Sequence, residues 1–341
     1  MTLQAKKMDI LLLMRGVLAL AVVVWHIGVV NAHTPAWMNI PGRTAVWMFF
    51  GISGYVISYG FFTRRYLHNV HDLSNFYLNR FLRIYPLFLL VSLTTLVTAW
   101  LLNGKWLITF ADIPSQLLMF QFHHEYTLSG VFWTLGIEVQ FYILAPLLIL
   151  LFSSRADAPH TLRLISLYVV FVLSIAVLHF LVGWSFDGRN IIFNLPHFFA
   201  GMVGCKWMLE KRYRAFNKWL LGTVIIVILA VTNYYYKTDI RYYWTISAVL
   251  IDVAVIAAIF LHGHFSGKEI NRKNYLLAVF VFLGVISYGV YAWHIYLVTF
   301  IPVLSDKTLL IILLTIALAW VSYRLVERPA LQLKRQQKKE W

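Results

Sequence analysis

Residues 10–30 read ILLLMRGVLALAVVVWHIGVV, and the only ionisable side chains in the run are Arg15 and His26. As an α-helix the run is about 31 Å long, which matches the hydrocarbon core of a bilayer. Ionisable groups inside such a segment are costly, and they persist where something uses or compensates them. Arg15 and His26 stand eleven positions apart. Eleven helical steps come within about 20° of three full turns, so the two side chains share one face and lie about 16.5 Å apart along the axis. One end of this stripe is cationic, and the other can exchange a proton near neutral pH. Lys6 and Lys7 precede the run. No clear small-residue cleavage site leads into a polar mature domain, so the run reads as a retained helix.

The same character extends along the chain. Of 341 residues, 60% are hydrophobic and 13% charged, with a mean hydropathy of +0.72. Soluble domains carry about 25% charged residues. The apolar runs are continuous rather than alternating, which speaks against a β-barrel and for an all-α, polytopic membrane helix bundle. The pattern predicts about ten transmembrane helices, near 10–30, 45–62, 84–102, 131–152, 164–182, 190–209, 219–236, 243–262, 277–300 and 308–326. They form one integral membrane domain over residues 1–330, followed by a basic tail over 331–341. The stretches 73–86 and 103–130 fall outside these helices. The second is long enough for a small cap and contains His123, His124 and Glu125.

The net charge of +15 follows from topology and calls for no nucleic-acid partner. Of the 29 Lys and Arg, all but Arg43, Lys105, Arg189, Lys237, Arg241 and Lys307 fall at one set of helix ends when the N-terminus is inside. That leaves 23 inside and places both termini in the cytoplasm. The single cysteine, Cys205, excludes an intramolecular disulfide and a cysteine-based metal cluster. No histidine or carboxylate spacing suggests a metal site.

Polar residues on other spans give the stripe on the first helix its company. Glu138 sits about 10 Å inside the outer end of the fourth span, on a face shared with Thr134 and Tyr142. His26 lies at comparable depth. A carboxylate accepting an imidazole N–H would fix its tautomer and raise the basicity of the other nitrogen, as a general base or nucleophile needs. The same pair also serves simply to hold two helices together. Arg15, near the inner boundary, reads either as a snorkelling side chain or as an anion contact. Arg80 and Arg83, three apart and neighbours on a helix face, suit a phosphate or an anionic lipid headgroup. Gly51 and Gly54 permit close helix packing, and Ser53 between them could meet a ligand. Asp252, alone in an apolar run, is expected to pair internally with Arg241 or an aromatic hydroxyl. His179, His197 and His294 read as satisfied structural histidines.

Taken in order, these segments resemble the acyltransferase-3 family of bacterial integral membrane O-acyltransferases. The resemblance rests on Arg15-x10-His26, FFGISGY at 49–55, FY at 76–77 with RFLRIYP at 80–86, WTLGIEVQFY at 133–142, PHFFAGM at 196–202, SYGVYAWH at 287–294 and ERP at 327–329. Each motif is weak, but their order and spacing are specific. The resemblance implies about ten helices, acetyl-CoA as a co-substrate with no permanently bound cofactor, and a carbohydrate hydroxyl as acceptor. It implies a functional requirement for Arg15, His26 and Glu138. It also directs attention to Ser53, Tyr55, Trp133, Thr134, Tyr142, Tyr288 and His294 as pocket lining. Some members carry a fused extracytoplasmic esterase-like domain, so this chain is expected to transfer directly or through a separate extracytoplasmic transferase partner. The implied setting is the bacterial inner membrane, among its lipids. On this reading His26 and Glu138 are catalytic, while Arg15, Arg80 and Arg83 bind the donor. The competing class is a proton-coupled transporter or flippase of a glycan precursor, which also uses intramembrane Arg, His and Glu. No repeat between halves or paired broken helices supports it.

Overall fold

The structure, a computed structural model, describes residues 9–30, 41–63, 69–104, 107–108, 112–119, 129–153, 165–166, 168–174, 177, 188–266, 275–301 and 307–334. All regular structure among them is helical. In chain order the helices are α1 (Ile10–Val30), α2 (Gly42–Phe62), α3 (Val70–Asn103), α4 (Ile113–Leu118), α5 (Trp133–Ser153), α6 (Ile191–Leu209), α7 (Lys218–Thr238), α8 (Ile240–Phe265), α9 (Tyr275–Val285), α10 (Ser287–Phe300) and α11 (Thr308–Gln332). Residues 168–174 are also helical.

Seven of these, α1, α2, α3, α5, α7, α8 and α11, are long and apolar enough to cross a membrane, and α9 with α10 makes an eighth if the pair is one broken span. The protein is a multi-pass membrane protein. The span expected at 190–209 is helix α6, whose Asn194, Pro196 and His197 keep it out of that apolar set. The span expected at 164–182 is described at 165–166, 168–174 and 177, which are helical; its other residues, His179 among them, lie outside the described residues, as do Lys6, Lys7, His123, His124, Glu125 and residues 335–341.

The stretch 73–86 is not a separate inner segment. It forms the first turns of α3, which runs unbroken for 34 residues. Asn69 starts it: the Asn69 side chain accepts the Asp72 N–H at 2.8 Å, and Asn69 Nδ2 donates to the Asp72 carboxylate at 3.0 Å. Pro86 removes one backbone donor, but membrane helices tolerate proline where neighbouring groups take up the freed carbonyl. Proline and two arginines within seven residues, 80–86, mark a boundary that the fold does not make.

The chain forms two compact units, each built from separated stretches. The first comprises Met1–Leu18, Ile40–Thr63 and Leu147–Val285. Its core is α2 against α6, with α8 packed on both and on α7. Small residues set the α2–α6 distance. A Cβ at Gly54 would meet the Phe198 backbone, and one at Gly201 would meet the Gly51 carbonyl. Beside this crossing the Phe50 and Phe198 rings stack at 4.8 Å. Close backbone approach through small residues is how membrane helices gain contact without a hydrophobic driving force. A π-helical turn in α8, Tyr243–Ser247, buries Tyr243 fully, with its hydroxyl 3.1 Å from Thr44 Oγ1 and its ring stacked on Trp47.

The second unit comprises Ala19–Asn39, Arg64–Pro146 and Ile286–Trp341. Here α10 packs against α3 and α11. Phe76, Leu87, Phe88 and Val91 of α3 are buried, and the Phe88 ring lies 5.1 Å from that of Phe132. A second π-helical turn, Tyr323–Glu327 in α11, packs on α3 and carries Glu327 into the interior.

Candidate active site

Within the second unit, two helices carry polar stripes. On α5 these are Thr134, Glu138 and Tyr142, spaced by four; on α10 they are Tyr288, Tyr291 and His294, spaced by three. Both spacings keep side chains on one helix face. The Thr134 and Tyr291 hydroxyls are 2.8 Å apart, and both lie against the Val131 carbonyl, at 3.0 and 2.9 Å.

His294 is fully buried and sits 3 positions beyond Tyr291, whose backbone carbonyl is 2.6 Å from His294 Nδ1. A carbonyl only accepts, so Nδ1 carries the proton and His294 Nε2, in the neutral ring, is an acceptor. Nε2 lies 3.1 Å from His26 Nδ1, which also lies 3.0 Å from the Val22 carbonyl. His26 therefore holds its proton on Nδ1, shared between two acceptors. A neutral His26 is left with a lone pair on Nε2, and no partner for that atom is present among the described residues. The bonded partner of His26 is thus His294, not the expected Glu138.

Glu138 accepts a 2.6 Å hydrogen bond from the Tyr142 hydroxyl one turn further along α5. Around this pair lie the two arginines of α3. The Arg80 guanidinium stands 5.6 Å from the centre of the Tyr142 ring and 5.7 Å from that of Phe76, and its buried Nε has no hydrogen-bond partner among the described residues. Arg83 stands over the Tyr288 ring at 5.8 Å and pairs with Glu327 at 3.8 Å. Glu327 is 2% exposed and Arg83 21%. The Tyr288 hydroxyl donates to the Ile84 carbonyl at 2.8 Å, within the electrostatic reach of Glu327, Arg83, Glu138 and Tyr142.

The second unit thus gathers His26, Arg80, Arg83, Thr134, Glu138, Tyr142, Tyr288 and His294, with Trp133 half-buried at the start of α5. The other three residues singled out from sequence belong to the first unit. Arg15 lies 5.9 Å from the Phe49 ring, Ser53 is half-buried, and Tyr55 is buried against Tyr59 and His262. Two participants, Tyr291 and Glu327, stood in the quoted motifs without a role. An acid and a tyrosine in otherwise apolar or basic helical stretches were the signals available for them. Asp252 pairs internally as expected, with the Tyr168 hydroxyl at 2.7 Å and with His197 at 2.7 Å. Arg241 is bonded instead to Asp239.

Residues 9–324 match the family described as an acyltransferase domain. The chain belongs to the acyltransferase-3 family. It is 22% identical over 338 residues to the putative acetyltransferase ORF330 of Acidianus two-tailed virus, an alignment covering 95% of this chain and 92% of that protein. It is 23% identical over 342 residues to the O-acetyltransferase OatA of Staphylococcus aureus, covering 89% of this chain and 55% of OatA. The chain therefore spans about half the length of that relative. No solved structure matches it. Membership of the acyltransferase-3 family makes the protein a membrane acyltransferase. It supports the acyl-transfer reading of the polar stripes over the carrier reading.

Proposed function

We propose that this protein is an O-acetyltransferase of the bacterial inner membrane, with both termini cytoplasmic and the two compact units serving one catalytic domain. It moves an acetyl group from acetyl-CoA to a hydroxyl of a carbohydrate, such as a surface polysaccharide or a lipid-linked sugar. The observation that carries this reading is the His294–His26 contact, which leaves a lone pair on His26 Nε2. That nitrogen takes the proton of the acceptor hydroxyl as its oxygen attacks the thioester carbonyl. The carbon–sulfur bond breaks, and the departing thiolate receives the proton to give free CoA. Alternatively, Nε2 attacks the thioester carbonyl and expels the CoA thiolate; the acceptor oxygen then takes the acetyl group, freeing Nε2, and its proton goes to the thiolate. The similarity to the O-acetyltransferase OatA supports the O-acetyl assignment.

Arg80 is the better placed arginine for the donor's phosphates, since Arg83 already has a carboxylate partner. Arginine binds phosphate oxygens in a fixed fork. The Tyr142 ring, 5.6 Å from the Arg80 guanidinium, helps to place it, and Glu138 holds the Tyr142 hydroxyl. Arg15, eleven positions before His26 on α1, is a further cation suited to the donor's phosphates. Transfer proceeds directly or through a separate extracytoplasmic partner. The test is CoA thiol release by protein reconstituted without an ion gradient. Acetyl-CoA consumption that depends on added glycan acceptor supports the proposal, and glycan movement without CoA release overturns it.

A further inference from the structure

The first unit contains a second polar centre that the acyl-transfer chemistry proposed above does not use. Asp252 on α8 is 3% exposed and His197 on α6 is 1% exposed. Both carboxylate oxygens of Asp252 are satisfied: His197 Nδ1 donates to one and the Tyr168 hydroxyl to the other, each at 2.7 Å. The Trp47 ring lies against the imidazole, with centroids 5.1 Å apart. The ring is thus fixed with Nδ1 towards the acid. Its other nitrogen, Nε2, is enclosed and has no hydrogen-bond partner among the described residues. Buried polar atoms are nearly always bonded, so an unpaired one points to a missing partner.

His197 and Asp252 line a cavity of about 430 Å³, whose other walls include Trp47, Phe193, Trp244 and Val249. The remaining polar side chains of known contact on this wall are committed elsewhere. Asn194 Nδ2 donates to the Gly188 and Asn190 carbonyls, and Thr245 Oγ1 to the Arg241 carbonyl. The cavity therefore offers apolar surface, two indoles and the enclosed, unpartnered His197 Nε2. Tyr242, Ile246 and Val249 border it and are exposed along α8. On a membrane-spanning helix an exposed apolar flank faces hydrocarbon, so a ligand enters from the lipid.

We infer that this cavity binds a membrane lipid alcohol: its hydrocarbon chain lies against Trp47, Trp244 and Phe193, and its hydroxyl bonds to His197 Nε2. A hydroxyl both donates and accepts, so it satisfies Nε2 whether that nitrogen carries a proton or a lone pair. A sugar would bring several hydroxyls against apolar walls, where each unpaired one is costly. An alkane would fill the space and leave Nε2 unpaired.

The experiment uses the full chain in phosphatidylcholine nanodiscs, with indole fluorescence quenched by ω-bromo-undecanol. Bromo-undecane, which lacks the hydroxyl, is the control. Saturable quenching by the alcohol, competed by plain undecanol and absent with bromo-undecane, is the expected result. His197→Asn keeps a donor for Asp252 but removes the second ring nitrogen, and should raise the half-saturation point about tenfold or more. Ala248→Phe, which fills the cavity wall one turn before Asp252, should abolish the saturable component, as should the double variant Trp47→Phe with Trp244→Phe. Equal quenching by alcohol and bromide overturns the assignment. So does saturable competition by methyl glucoside, or unaltered saturation in Ala248→Phe.

Discussion

His294 Nε2 and His26 Nδ1 stand 3.1 Å apart, although 268 positions separate the two residues in the chain. The contact does for His26 part of what a carboxylate does in other acid–base sites. It holds the proton on Nδ1 and so keeps the lone pair on Nε2. A neutral ring does this without adding negative charge beside the base.

Replacing His26 by alanine removes the proposed base. Transfer should fall by about 10²–10⁴-fold, the usual contribution of a positioned general base, while acetyl-CoA binding measured by calorimetry stays within error. Loss of binding in step with activity would give His26 a structural role instead.

The orienting role of His294 predicts a different signature. His294→Ala should lower kcat by about ten- to a hundredfold, less than loss of the base itself, with KM for acetyl-CoA unchanged. His294→Gln, whose side-chain oxygen can accept from His26 Nδ1, should recover part of the loss. Equal rates for the alanine and glutamine variants would remove the orienting role.

The two arginines of α3 should separate. Arg80→Ala is expected to raise KM for acetyl-CoA with little change in thermal stability. Arg83→Ala removes the arginine 3.8 Å from the buried Glu327 carboxylate, and breaking a buried pair costs about 3 kcal/mol or more. Its melting temperature in detergent should fall, and adding Glu327→Gln should restore most of the loss. A melting temperature unmoved by Arg83→Ala would show that the pair contributes no net stability.

The α2–α6 crossing predicts a purely structural effect. Gly201→Val places two methyl groups where the Gly51 carbonyl already lies. Overpacking of this kind costs about 1–3 kcal/mol or more, and here backbone rather than side chain must yield. Folded yield on size-exclusion chromatography should drop sharply, whereas Gly222→Ala, with open space around its Cβ position, should behave as the unaltered protein.

Apolar run length made most of the helices legible in the sequence, and periodicity placed Thr134, Glu138 and Tyr142 on one face. The amino end of α3 was hidden, because Arg80, Arg83 and Pro86 carry local signals of a helix end that tertiary packing overrides. The expected common depth of His26 and Glu138 rested on two helices taken singly, and a pattern within one helix does not say that α10 brings His294 to His26. Asp252 was recognisable as a residue needing a partner. That the partner would be His197, read alone as a satisfied core residue, is again a property of packing.

The 34 residues of α3 reach about 51 Å, some 20 Å more than the hydrocarbon core is thick. Its apolar portion, from Ile84 onward, is by itself about one bilayer in depth. The surplus turns carry Asp72, Asn75 and Asn79, all buried, so the part of α3 too long for the bilayer is held within the protein. On the proposed donor route a charged nucleotide would meet Arg80 and Arg83 there, and only its slender, nearly neutral acyl-bearing arm would have to pass further in.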